Sequence, residues 1–94
     1  MLAKIWNYNK WITITNCDRL ASMFDEILMK AGFNVLKVVD HKFIPQGYTR
    51  LYLLSESHFA IHTFPEEGKT YIELSSCNEQ MYDKAVELIV EKVH

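Results

Sequence analysis

YTRLYLLSESHFAIHTFPEEGKTYIELSS, residues 48–76, decides the fold. Residues 48–55 and 58–64 read as strands, TYIELSS at 70–76 as a third, and Pro65-Glu66-Glu67-Gly68 as the reverse turn joining the last two. Alternation over 58–64 puts His58, Ala60, His62 and Phe64 on one face and Phe59, Ile61 and Thr63 on the other. In the next strand Tyr71, Glu73, Ser75 and Cys77 share a face. A hairpin through PEEG then predicts that His62, Phe64 and Cys77 open toward one side of the sheet, close to Ser57. A slip of one residue reverses every side chain in that reading. One feature sits badly in a plain hairpin: Ser55-Glu56-Ser57-His58 has weak strand preference, and a second histidine follows four residues later.

Outward from this centre the periodicity continues. Residues 10–16 (KWITITN) alternate Trp11, Thr13 and Thr15 against Ile12 and Ile14, which predicts a strand with one buried face. Asn16 or Asp18 can cap the next element, where Leu20, Met23, Phe24, Ile27 and Leu28 fall at helical spacing over 20–31 and Gly32 stands at a C-cap. Residues 34–43 (NVLKVVDHKF) predict a second strand, closed by the turn former IPQG. At the far end Met81, Ala85, Leu88, Ile89 and Val93 form one stripe of a helix over 79–94, with Asn78 as its N-cap. The predicted order is β-α-β-β-β-β-α. It implies an α+β fold, a two-layer sandwich whose antiparallel sheet carries two helices on one face. The uncovered face of so small a sheet is expected to pair with a second copy.

Ninety-four residues bound one domain, 1–94. An apolar share of 49% and a charged share of 23% fit an ordinary globular protein. A net charge of −2, with Lys and Arg scattered, gives no footprint for nucleic acid. The apolar runs are too short for a membrane span, and the first residues lack a secretory h-region, so a cytoplasmic location is expected. Cys17 and Cys77 form no CxxC and no Cys/His ligand spacing, which argues against a disulfide framework or a metal site. Taken singly, the polar residues are ordinary. A strand histidine is most often a half-buried polar group, a phenylalanine serves core packing, and Ser57 with His62 lacks the Gly-x-Ser-x-Gly elbow of a hydrolase.

Together they resemble something definite. ESHFAIHTFPE, followed by a carboxylate-bearing strand that ends in Cys77, looks like the core of the prokaryotic S-adenosylmethionine decarboxylases. HKFIPQGYTRLYLLSESH upstream fits the same pattern with its FxPxG loop, and ITITNCD before a helix echoes it more weakly. The likeness covers about residues 10–80.

This resemblance implies a chain that cuts itself. The Ser57 hydroxyl attacks the Glu56 carbonyl, turning an amide into an ester; elimination leaves dehydroalanine, which hydrolyses to a pyruvoyl group. Chains 1–56 and 57–94 would result, the second capped by that pyruvoyl cofactor. The resemblance makes His62 the processing residue, suited to taking the α-proton, and Thr49 a processing aid where the family often has serine. The pyruvoyl carbonyl would form a Schiff base with S-adenosylmethionine and accept electrons as CO₂ leaves, and Cys77 matches the proton donor. Phe43 and Phe64 match aromatic residues that stack on adenine, Glu66 the carboxylate that takes the ribose hydroxyls, and Phe59 a pocket-lining position. The product would be the aminopropyl donor for spermidine, made in a homodimer with shared active sites. Ser75-Ser76-Cys77-Asn78 stands where the pattern has Phe-Thr-Cys-Gly. Two other readings stay open: an ornithine or arginine decarboxylase on the same scaffold, and an unprocessed, non-enzymatic homologue. Phe43, Phe64 and Glu66 favour adenosylmethionine over the basic amino acids.

Overall fold

Alternating and helical apolar patterns are realised in the computed structural model, which describes residues 2–93. Strand β1 (Trp6–Ile12) is followed by helix α1 (Cys17–Ala31), strands β2 (Val35–Lys42), β3 (Tyr48–Leu54) and β4 (Ser57–Phe64), a single 3₁₀ turn (Pro65–Glu67), strand β5 (Lys69–Ser76) and helix α2 (Glu79–Lys92). The sheet order is β1-β5-β4-β3-β2. Every neighbouring pair is antiparallel. The expected β-α-β-β-β-β-α order and α+β sandwich are therefore what the chain forms. The expected helix end at His94 lies outside the described residues.

The first strand is displaced from its expected place at 10–16. It begins at Trp6 and ends at Ile12, because a strand extends only as far as its neighbour: Trp6 pairs with Ser76 and Ile12 with Thr70, one residue from the start of β5. Beyond that point the chain is held by other bonds. The Thr70 hydroxyl donates to the Ile14 carbonyl at 2.7 Å. Asn16 is taken as the cap of α1, its Oδ1 accepting from the Arg19 amide at 2.9 Å. Capping by Asn16 rather than Asp18 also starts α1 at Cys17, ahead of the apolar stripe. Gly32 ends the helix at φ +96°, in the left-handed region, with its amide donating to the Met29 carbonyl at 3.0 Å.

Between the layers lies one core. Leu20, Phe24, Ile27 and Leu28 of α1 and Ala85 and Ile89 of α2 pack on the strand residues that point their way, among them Ile12, Tyr52, Phe59, Ile61, Ile72 and Leu74. The Phe59 ring lies 4.9 Å from Phe24 and 5.8 Å from Tyr52. A polar clamp closes this layer at its edge: Arg50 donates to Asp25 at 2.9 Å and the Tyr52 hydroxyl donates to the same carboxylate. Burial, reinforced by the bond to Asp25, pushes the Tyr52 phenol well above its ordinary value, so it remains a donor.

Among the described residues no helix covers the other face. Val39, Leu51, Leu53 and Trp11 stand there 60%, 45%, 53% and 50% exposed, more apolar surface than a solvated strand face ordinarily carries.

Candidate active site

The peptide bond before Ser57 lies in the β3–β4 hairpin. Leu54 pairs with Ser57, so only Ser55 and Glu56 make the turn. A two-residue hairpin turn favours glycine or asparagine where φ is positive. Here Glu56 occupies that conformation, at φ +59°. It is the one non-glycine residue with positive φ among the described residues. The cost of holding such a residue is ~1–3 kcal/mol.

Ser57, first residue of β4, is turned toward the helices and is 8% exposed. Its hydroxyl donates to Ser76 Oγ at 2.9 Å, directly across the β4–β5 pair. Cys77 follows at once, past the end of β5, and is exposed. A cavity of about 290 Å³ wraps this end of the sheet, lined by Ile5, Leu53, Glu56, Ser57, His58 and Cys77. Glu56, Ser57 and Cys77 thus share one recess.

His62 is elsewhere. It stands half-buried on the open face, five residues along β4 from Ser57, roughly 17 Å at ~3.4 Å per residue. Its Nδ1 lies 3.1 Å from Thr49 Oγ1, across the β3–β4 pair, and Tyr71 stacks on its ring from β5 at 6.4 Å between centroids. Phe64 lies beyond it, 5.7 Å from Trp11. Phe43 and Glu66 belong to the same end. The Phe43 amide donates to the Gly47 carbonyl at 2.9 Å, closing the loop after β2, and Gln46 of that loop donates to Glu66 at 3.4 Å.

The expected site residues thus fall into two groups. Glu56, Ser57 and Cys77 form one; Thr49, His62, Phe43, Phe64 and Glu66 form the other. The expected grouping of His62 and Phe64 with Cys77 near Ser57 is not formed within one chain, because the PEEG hairpin is long. Its register pairs Phe64 with Lys69 at the turn and Ser57 with Ser76 at the far end. Cys77 also lies outside the alternation assigned to it, β5 having ended at Ser76. Phe59 is 1% exposed, in the core facing the helices, and belongs to neither group.

Comparison with known proteins gives this geometry its context. A family model described as S-adenosylmethionine decarboxylase matches residues 2–94. The chain belongs to the S-adenosylmethionine decarboxylase family. It is similar to an S-adenosylmethionine decarboxylase proenzyme of Prochlorococcus marinus strain MIT 9211, 48% identical over 64 residues, covering 67% of this chain and 52% of that protein. It is also similar to the proenzyme of the same name from Bacillus velezensis, 30% identical over 94 residues, covering 100% of this chain and 74% of that protein. This member of the S-adenosylmethionine decarboxylase family therefore spans about half to three quarters of these two relatives' lengths. The fold matches the crystal structure of the adenosylmethionine decarboxylase from Aquifex aeolicus VF5, with a TM-score of 0.77 at 19% identity over 95% of this chain and 79% of that one.

One residue beside Ser57 carries no assignment from the sequence. Ser76 is 1% exposed and is the hydroxyl to which Ser57 is bonded. The hairpin register contained the signal. A turn occupying residues 65–68 pairs 64 with 69, and therefore 57 with 76.

Proposed function

We propose that this chain is a proenzyme of a pyruvoyl-dependent S-adenosylmethionine decarboxylase, cleaving itself between Glu56 and Ser57 and supplying the aminopropyl donor for spermidine. The observation that carries this reading is Glu56 at φ +59° directly before a buried, hydrogen-bonded serine. A hydroxyl is a weak nucleophile and needs an activated carbonyl. The strained turn destabilises the intact bond, and its loss on cleavage favours the forward direction. Attack forms the bond between Ser57 Oγ and the Glu56 carbonyl carbon, breaks the bond from that carbon to the Ser57 nitrogen, and carries the proton from oxygen to nitrogen. Family membership supports adenosylmethionine over ornithine or arginine, and the relatives' description as proenzymes supports processing over a permanently intact chain.

In the mature form the pyruvoyl group at residue 57 supplies a carbonyl that takes up the substrate amine and accepts electrons as CO₂ departs. The residues around it fit that use: residue 57 would be a chain terminus opening on the recess, with the Cys77 thiol beside it to return a proton to the substrate. Phe43 and Phe64 offer ring faces to adenine and the sulfonium, and Glu66 an acceptor for ribose hydroxyls. These residues and His62 stand at the far end of β4, so one chain holds half of each site. We propose a homodimer in which open faces pair about a two-fold axis. With β4 antiparallel to its copy and Ala60 near the axis, His62 of one protomer reaches the Ser57 end of the other. Sheets pack about 10 Å apart, a gap that side chains from both faces fill. The apolar Val39, Leu51, Leu53 and Trp11 would be covered in the same step. The reading takes the cytoplasm as its location; among the described residues no helix is long and apolar enough to cross a membrane.

Denaturing mass spectrometry of purified protein is the first test, with fragments 1–56 and 57–94 expected and the second bearing an α-keto acyl end. CO₂ release measured side by side with adenosylmethionine, ornithine and arginine then assigns the substrate; release from either amino acid alone overturns the choice made here. Cys77→Ala is expected to divide normally while CO₂ release per pyruvoyl falls about a hundredfold or more, the usual contribution of a positioned acid. Undiminished release would remove Cys77 from that role.

A further inference from the structure

We infer that Ser76 is a positioning residue for self-cleavage: it fixes the Ser57 hydroxyl as a donor and so leaves the Ser57 lone pairs free for attack on the Glu56 carbonyl. The inference rests on the self-cleavage reading and adds to it a residue and a device.

A hydroxyl has one proton to donate and two lone pairs to accept with. All three places on Ser76 Oγ are filled. It donates to the Asn78 carbonyl at 3.2 Å, accepts from the Asn78 amide at 3.0 Å, and accepts from Ser57 Oγ at 2.9 Å. With its own proton committed to Asn78, Ser76 meets Ser57 only as an acceptor. Ser57 therefore donates, which sets the rotor of its hydroxyl. Free rotation would lower the fraction of time the nucleophile is aimed.

The support behind Ser76 is rigid. Asn78 is the N-cap of α2, its Oδ1 accepting from the Met81 amide at 2.9 Å, and the next turn begins with the Tyr82 amide donating to the Asn78 carbonyl at 3.0 Å. The corner between β5 and α2 thus fixes Asn78, Asn78 fixes Ser76, and Ser76 fixes Ser57. Both serines are buried, at 8% and 1% exposure, so water competes little for these bonds. Ser76 takes no net proton in the acyl shift, since the Ser57 proton ends on the departing nitrogen. Its effect is confined to that first step. The hydroxyl is also what Ser76 shares with the threonine of the family pattern at this position.

Cleavage is followed from a pulse of cell-free synthesis by denaturing mass spectrometry, with and without hydroxylamine, which splits an oxygen ester once it has formed. Ser76→Ala is expected to lengthen the half-time of cleavage about tenfold or more, with no acceleration by hydroxylamine. Ser76→Thr is expected to return it to within about threefold of wild type. A block at the later elimination would instead be relieved by hydroxylamine. Melting is compared in uncleavable chains, Ser57→Ala with and without Ser76→Ala, to separate a slow chemical step from a loosened fold. Wild-type speed in Ser76→Ala, hydroxylamine rescue of Ser76→Ala, or failure of Ser76→Thr in a chain that melts normally would each overturn the inference. A wild-type chain that never divides would defeat the self-cleavage reading itself, a different outcome from a wild type and a Ser76→Ala that divide equally fast.

Discussion

Ser57→Ala is expected to remain one intact 94-residue chain under conditions in which the wild type divides completely. The effect is all-or-none because the substitution deletes the attacking atom. Alanine carries no oxygen to form the ester, and no pyruvoyl group can arise from it, so CO₂ release should fall to the uncatalysed background. The fold should survive. The site is the end of a strand, alanine fills most of the space of serine, and what is lost is one bond to Ser76. A net loss on the order of 1 kcal/mol is expected, with some further cost because the Ser76 lone pair is left unpaired. Denaturing mass spectrometry and a thermal melt on the same sample separate the two effects. Cleavage of Ser57→Ala at the same bond would show that another group attacks it.

Most of the fold is legible in the sequence because its signals are local. Asn16 and Asn78 bracket helix starts with side chains that bond the third amide onward, Gly32 supplies the left-handed residue a helix end requires, and Pro65 with Gly68 marks the hairpin turn. The first strand shows where local signals stop. Residues 13–16 continue the alternation of Trp11 and Ile12, but only residues 6–12 have β5 to pair with. Pairing is a property of two segments, and alternation in one does not reveal the extent of the other.

The site divides in the same way. Resemblance brought forward Ser57, His62 and Cys77 as individuals, while their arrangement depends on strand length and face. Ser57 faces the helices and His62 the open side, because five residues separate them and side chains change face at each one. Phe59 follows Ser57 by two and so joins the core. The strain at Glu56 was invisible for another reason: a backbone angle belongs to the folded hairpin, and the sequence shows only that a residue unsuited to that turn stands in it.

Mixing two inactive chains should restore cleavage, and only in one of them. Ser57→Ala lacks the nucleophile and His62→Ala lacks the group assigned to remove the α-proton. Each is expected to stay largely whole when produced alone. Co-expressed in equal amounts with random pairing, about half of the His62→Ala chains would sit in mixed dimers, facing an intact His62 across the interface. Those chains should divide, while the Ser57→Ala chains do not. The reason is the separation along β4: a histidine roughly 17 Å from Ser57 is too far to take its α-proton within one chain. A two-fold pairing of open faces brings the opposite ends of the two β4 strands together. The small Ala60 at their centre, itself 6% exposed, leaves room for that approach. Distinct masses for the two variants identify which chain has been cut. If neither divides, although mass spectrometry under native conditions shows the mixed dimer, His62 does not act across this interface and the paired-face geometry is wrong. Division of the His62→Ala chain when produced alone would remove His62 from processing altogether.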